Sequence, residues 1–137
     1  MPYVPKWDLF AYVCSSEASA DELIGAATAM PNSNGVLLVL RHDIKIAKRI
    51  GSAYLNMMVR FNDRMNKYKK RNMEMMMFLY ADPEIGRNAN AIKLDNKKFI
   101  LFSDSKTMLN GFAKANRIRK LQAVKVIPEF ESDYSMQ

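Results

Sequence analysis

Cys14 and His42 are the sole cysteine and sole histidine of the chain, so the only thiol-imidazole couple it can offer for nucleophilic catalysis is this one. One cysteine excludes an internal disulfide and a cysteine-based zinc site within a single chain. Each residue also has a plainer place: Cys14 closes an apolar, strand-like run that begins at Trp7, and His42 stands where a helix starts. The acids are dispersed. Asp21-Glu22 and Asp82-x-Glu84 fall at expected helix starts, where carboxylates cap amides and oppose the helix dipole. Glu74 lies inside a methionine-rich segment and must either reach the surface or pair with Arg or Lys of the preceding helix. Gly25, Gly35, Gly51, Gly86 and Gly111 are scattered, and no glycine-rich loop precedes Lys-Ser or Lys-Thr, so no nucleotide cradle is expected. The reading is of a chain without catalytic residues, cofactor or metal.

The basic residues gather where the acids do not. Asp43 to Arg71 holds nine of them (Lys45, Lys48, Arg49, Arg60, Arg64, Lys67, Lys69, Lys70, Arg71) against Asp43 and Asp63, a local excess of seven that equals the net charge of the whole chain, +7. Such a local field suits a polyanion or an acidic protein surface, and composition alone does not identify which. Within the same stretch Ala47, Ile50, Tyr54, Met57, Phe61, Met65 and Tyr68 recur at intervals of three and four, which predicts one helix from Asp43 to about Tyr68 with an apolar stripe. At about 100° per residue, Arg49, Arg60, Arg64 and Lys67 fall on another flank of that cylinder. Gly51 is expected to kink or interrupt it.

Other elements follow from local signals. Trp7 to Cys14 reads as a strand, Ser19-x-x-Glu22 as a capping box opening a short helix, and Val36 to Leu40 as a central strand buried on both faces. Asn72 is expected to cap a second helix through Met73 to Tyr80, too apolar all round for a surface position. Asp82-Pro83-Glu84 restarts a short helix carrying Ile85, Ala89 and Ile92. Ala91 to Leu94 and Phe99 to Phe102 read as strand, turn, strand, Ser105 opens a further helix, and Gln122 to Ile127 is a last strand. The methionines at 57, 58, 65, 73, 75, 76 and 77 fit ordinary core, a pliable docking surface or a soft-metal site, core foremost.

These elements make an α+β domain spanning 1–128, one mixed sheet of about five strands with four or five helices packed on it, followed by a polar tail at 129–137. At 137 residues the chain has room for one domain. No signal-like leader and no apolar run of about 18 residues is present, so a cytoplasmic location without membrane contact is expected.

The order of residues also carries a resemblance. A long helix with Ser52-Ala53-Tyr54-Leu55, the basic turn Lys69-Lys70-Arg71-Asn72, the run Met73-Glu74-Met75-Met76-Met77-Phe78-Leu79-Tyr80, then Pro83-Glu84-Ile85 and Ala89 resembles the small accessory subunit of the KEOPS (EKC) complex, the PRPK-binding protein family. The likeness spans about residues 36–115. It implies a non-catalytic regulatory subunit that docks on a small atypical kinase/ATPase subunit and helps recruit tRNA through its 3′ end for threonylcarbamoyladenosine modification, with no small-molecule substrate. By position it gives Met76, Ile85, Ala89 and Ile92 to the docking face and Lys69, Lys70 and Arg71 to tRNA, beside Arg60, Arg64 and Lys67 of the basic flank. The alternative is a free-standing basic RNA-binding domain.

Overall fold

The computed structural model describes residues 8–29, 35–80 and 98–129. Four strands, β1 (Phe10–Ser15), β2 (Leu37–Arg41), β3 (Lys98–Ser103) and β4 (Arg119–Ala123), form one sheet in the order β2-β3-β1-β4. Four helices accompany them: α1 (Ala20–Ala29), α2 (Ile44–Asn62), α3 (Arg71–Leu79) and α4 (Lys106–Ala115). The α+β class is as expected, but the sheet is antiparallel at every described pairing and not mixed. The connectivity explains this. α1 joins β1 to β2 and α4 joins β3 to β4, yet in each case another strand lies between the two, so the parallel partners of each crossover never touch. Two interlocked split βαβ units of this kind give a ferredoxin-like strand order.

Both faces of the sheet are covered over β2, β3 and β1. Leu38, Leu40, Ile100 and Phe102 meet Ile46, Ile50, Tyr54 and Met57 of α2 and Met75 and Leu79 of α3. On the other side Cys14, Leu37, Val39, Phe99 and Leu101 meet Leu23 of α1 and Leu109 and Phe112 of α4. β2 is therefore apolar on both faces, as its sequence requires, although it lies at the edge of the described sheet and not at the centre. Helices on both sides supply the burial that a central position was expected to supply.

The edge is met at its Leu37 end by Asn72. Its Nδ2 donates to the Leu37 carbonyl at 2.9 Å and its Oδ1 accepts from the Leu37 amide at 3.0 Å, so the side chain copies one rung of a strand ladder. The expected cap of α3 is thus displaced: the residue before the helix is Lys70, which makes no side-chain cap. Asn72→Ala removes both bonds and leaves the rung open, and it is expected to lower unfolding stability by about 2 kcal/mol in denaturant titration.

Local caps set the remaining elements. Ser19 accepts from the Glu22 amide at 3.1 Å, Asp43 from Lys45 at 2.7 Å and Ser105 from Met108 at 3.2 Å, each an N-terminal amide otherwise without a helical partner. Burial works against the Asp43 carboxylate, but the Lys45 amide and Arg41 guanidinium together hold it below the usual carboxylate range. Asp104 ties the layers: it accepts from the Tyr54 hydroxyl at 2.8 Å and from the Val36 amide at 2.9 Å. β4 begins three residues before the expected start of the last strand and every residue in it is exposed, so no buried alternation marks it in the sequence. α2 passes through Gly51 unbroken. The helix expected from Pro83, with Ile85, Ala89 and Ile92, and the strand at Ala91 to Leu94 lie outside the described residues.

Candidate nucleic-acid interface

α2 ends at Asn62, six residues short of Tyr68, and its termination creates the basic surface. Arg64 takes φ 57, its amide donates to the Phe61 carbonyl at 3.3 Å, and the Met65 amide donates to the Arg60 carbonyl at 2.8 Å. This is a Schellman closure with arginine where glycine is usual. The three-and-four spacing continues through Met65 and Tyr68 only by coincidence. Both residues have left the helix and are exposed, at 65% and 42%.

The loop from 63 to 70 is fastened from beneath by Glu74. This carboxylate is fully buried, and its Oε1 accepts from the Lys67 amide at 2.9 Å and the Tyr68 amide at 3.0 Å. Its Oε2 lies 3.8 Å from Arg60 Nε, the pairing with the long helix that its place in an apolar segment demands. Arg60 also stands 5.5 Å from the Phe78 ring centroid and donates to the Met65 carbonyl at 3.1 Å. Arg71 stacks 5.3 Å from the Phe61 centroid and donates toward Met58 Sδ at 3.5 Å. Two of the six basic residues expected at the interface are therefore engaged by the protein itself, Arg60 bracing the loop and Arg71 packing α3 onto α2. The other four, Arg64, Lys67, Lys69 and Lys70, are exposed, with Met65 and Tyr68 set between them.

Several cations on a short, tethered loop raise the local potential and release counterions when they meet phosphates. An exposed aromatic and a thioether among them offer a base something to lie against. The methionines divide: Met57 and Met75 are core, Met58, Met76 and Met77 are half-buried, and Met65 and Met73 are exposed. Met76 packs against the α2-side core cluster. Asn72 and Asp104 were beyond sequence reasoning because their partners lie tens of residues away.

Cys14 and His42 are not brought together. Cys14 points into the core beneath α1 and α4, whereas His42 is exposed beyond the end of β2, and the register Cys14–Phe99–Arg41 sets two strand spacings between them. Burial pushes the Cys14 thiol up to about 11, partly offset by the charge of Lys120. The native chain thus keeps a proton that the unfolded chain, at the ordinary value of 9.0, gives up sooner. Stability from this group is complete below about pH 9 and is lost as the pH rises to about 11. Tyr54, raised by burial and then by Asp104, and Tyr80, raised by burial, act in the same sense from their ordinary value of 10.0. Urea midpoints measured from pH 8 to 11 are expected to fall, and Cys14→Ala should delay the onset of that fall.

Among the described residues no group of three or more His, Cys, Asp or Glu side chains could hold a metal ion. No described helix is long and apolar enough to cross a membrane. No protein-family model, curated protein or solved structure matches this chain.

Proposed function

We propose that this chain is a non-catalytic binding subunit of the kind the KEOPS accessory family represents, docking on a small atypical kinase/ATPase in the cytoplasm and contacting tRNA through the loop between α2 and α3. The observation that carries the RNA half is the tethered loop: Arg64, Lys67, Lys69 and Lys70 face solvent, while the backbone beneath them is fixed by a buried carboxylate. Pre-ordering of this kind lowers the entropy lost when phosphates are bound. The docking half rests on the sequence resemblance, together with Met73, which is 48% exposed on α3. An isolated methionine of that exposure is a pliable apolar contact.

Replacing Lys67, Lys69 and Lys70 together by Glu tests the first half. Each phosphate left without its cation reduces the slope of log K against log salt by about 0.7–0.9, so the triple variant should flatten the slope by about two and weaken tRNA binding at least tenfold at low salt. An unchanged affinity rejects the loop as the RNA-binding element. For the second half, Ile85→Glu should abolish co-purification with a small kinase while leaving the circular dichroism spectrum intact. Tight tRNA binding with no kinase association would instead give the free-standing RNA-binding domain.

A further inference from the structure

At the opposite end of the sheet from the basic loop lies a second cationic cluster. Leu37 pairs with Ser103, which pairs with Phe10, and Asn72 brings the loop's end of α3 to that row. Five residues further along β1, about 17 Å at the rise of a strand, Ser15 stands opposite Lys98 on one side and Arg119 on the other. A cavity of about 600 Å³ opens there, lined among others by Ser15, Ser16, Glu17, Asn116, Arg117 and Arg119. It is a half-open, polar cleft and not an enclosed pocket.

Three features of the lining point to its occupant. Arg117 and Arg119 are exposed and both line the opening, and their guanidinium groups have no hydrogen-bond or ion-pair partner among the described residues, so those donors are unused. Arg117 also takes φ 52 at the residue after the α4 cap, where the Ile118 amide closes back on the Ala113 carbonyl at 2.8 Å. Glycine fits that left-handed position without strain, and a side chain there is held against a local cost. Glu17 puts one carboxylate on the rim, an acceptor suited to hydroxyl groups and unfavourable to a bare anion. Among the described lining residues none is aromatic, so nothing is placed to stack on a base.

We propose that this cleft binds a phosphate ester of a polyhydroxylated small molecule, a sugar phosphate, with Arg117 and Arg119 on the phosphate, Lys98 adding charge from the neighbouring strand, and Glu17 taking hydroxyl groups. The ligand is bound and not transformed. Planar guanidinium groups match phosphate oxygens through paired N–H donors, which makes arginine the apt residue for such a contact.

The test is titration of the full chain with ribose 5-phosphate, inorganic phosphate and ribose, followed by amide NMR shifts and calorimetry. Ribose 5-phosphate is expected to shift the amides of Ser16, Glu17 and Arg119 and leave Lys67 to Lys70 unmoved, with inorganic phosphate weaker and ribose silent. Arg119→Ala should weaken binding about tenfold or more. Arg117→Gly should weaken it similarly while the thermal midpoint holds or rises, since it relieves the left-handed backbone. Glu17→Gln should weaken ribose 5-phosphate but not inorganic phosphate. Equal response of the loop at 67–70, equal binding of phosphate and ribose 5-phosphate, or full affinity in Arg117→Gly would each overturn the assignment.

Discussion

Gly51→Ala is expected to destabilise the protein by about 3 kcal/mol, opposite in sign to what helix propensity alone gives. In mid-helix, alanine is favoured over glycine by about 1 kcal/mol. Here the added Cβ would sit 1.8 Å from the Ile127 carbonyl oxygen and 2.7 Å from its carbon. Both are backbone atoms, so no rotamer change relieves the clash. The segment after β4 must lift from α2, taking Val124 and Val126 from the core cluster they pack against and endangering the Val124 amide's bond to the Ala11 carbonyl, 2.8 Å long. Guanidinium titration measures the loss. A chain ending at Val126 removes the obstructing carbonyl, and in that background Gly51→Ala should become neutral or stabilising. If the substitution is equally harmful in both backgrounds, the contact with Ile127 is not its cause.

Gly51 also shows what the sequence could and could not disclose. A glycine among helix formers suggests a kink, but the alternative, a close crossing by a chain 76 positions away, leaves no local mark. The body of α2 was legible because one apolar stripe must face one sheet, and that constraint repeats every turn. Its end was not, because Arg64 adopts a left-handed backbone without the glycine that normally announces it. β3 was legible from the apolar run of Phe99 to Phe102, and β2 from Val36 to Leu40. Where β2 stands in the sheet was not, since burial on both faces arises equally from a central position and from an edge strand sandwiched by helices. Of the candidate interface, the charge cluster was readable, yet which side chains reach solvent depended on Phe61 and Phe78, which hold Arg71 and Arg60 inward. The cleft at Ser15 joins residues about a hundred positions apart and could be found only once β1 and β4 were paired.

Glu74 is where stability and the proposed RNA contact meet, and its replacement separates order from charge. Glu74→Ala leaves the Lys67 and Tyr68 amides without their acceptor and Arg60 Nε without its counter-ion. Loss of hydrogen bonds to a buried charged group costs about 1.5–3 kcal/mol each at most, and a cavity adds to it, so a fall of about 3 kcal/mol in unfolding stability is expected. The same change raises the formal charge by one and frees Arg60. If tRNA responded to charge alone, affinity would increase. The tethered-loop reading gives the reverse: the loop from 63 to 70 loses its anchor, and binding weakens about tenfold as the ordering cost returns to the association step. Glu74→Gln raises the charge by the same amount but keeps an oxygen that can accept from both amides, so it should retain tRNA affinity at or above that of the parent chain. Filter binding at matched salt, with the three proteins compared below their unfolding transitions, decides the matter. Tighter binding by the alanine variant would mean that the cations act as a diffuse field and that the anchoring of their backbone has no part in recognition.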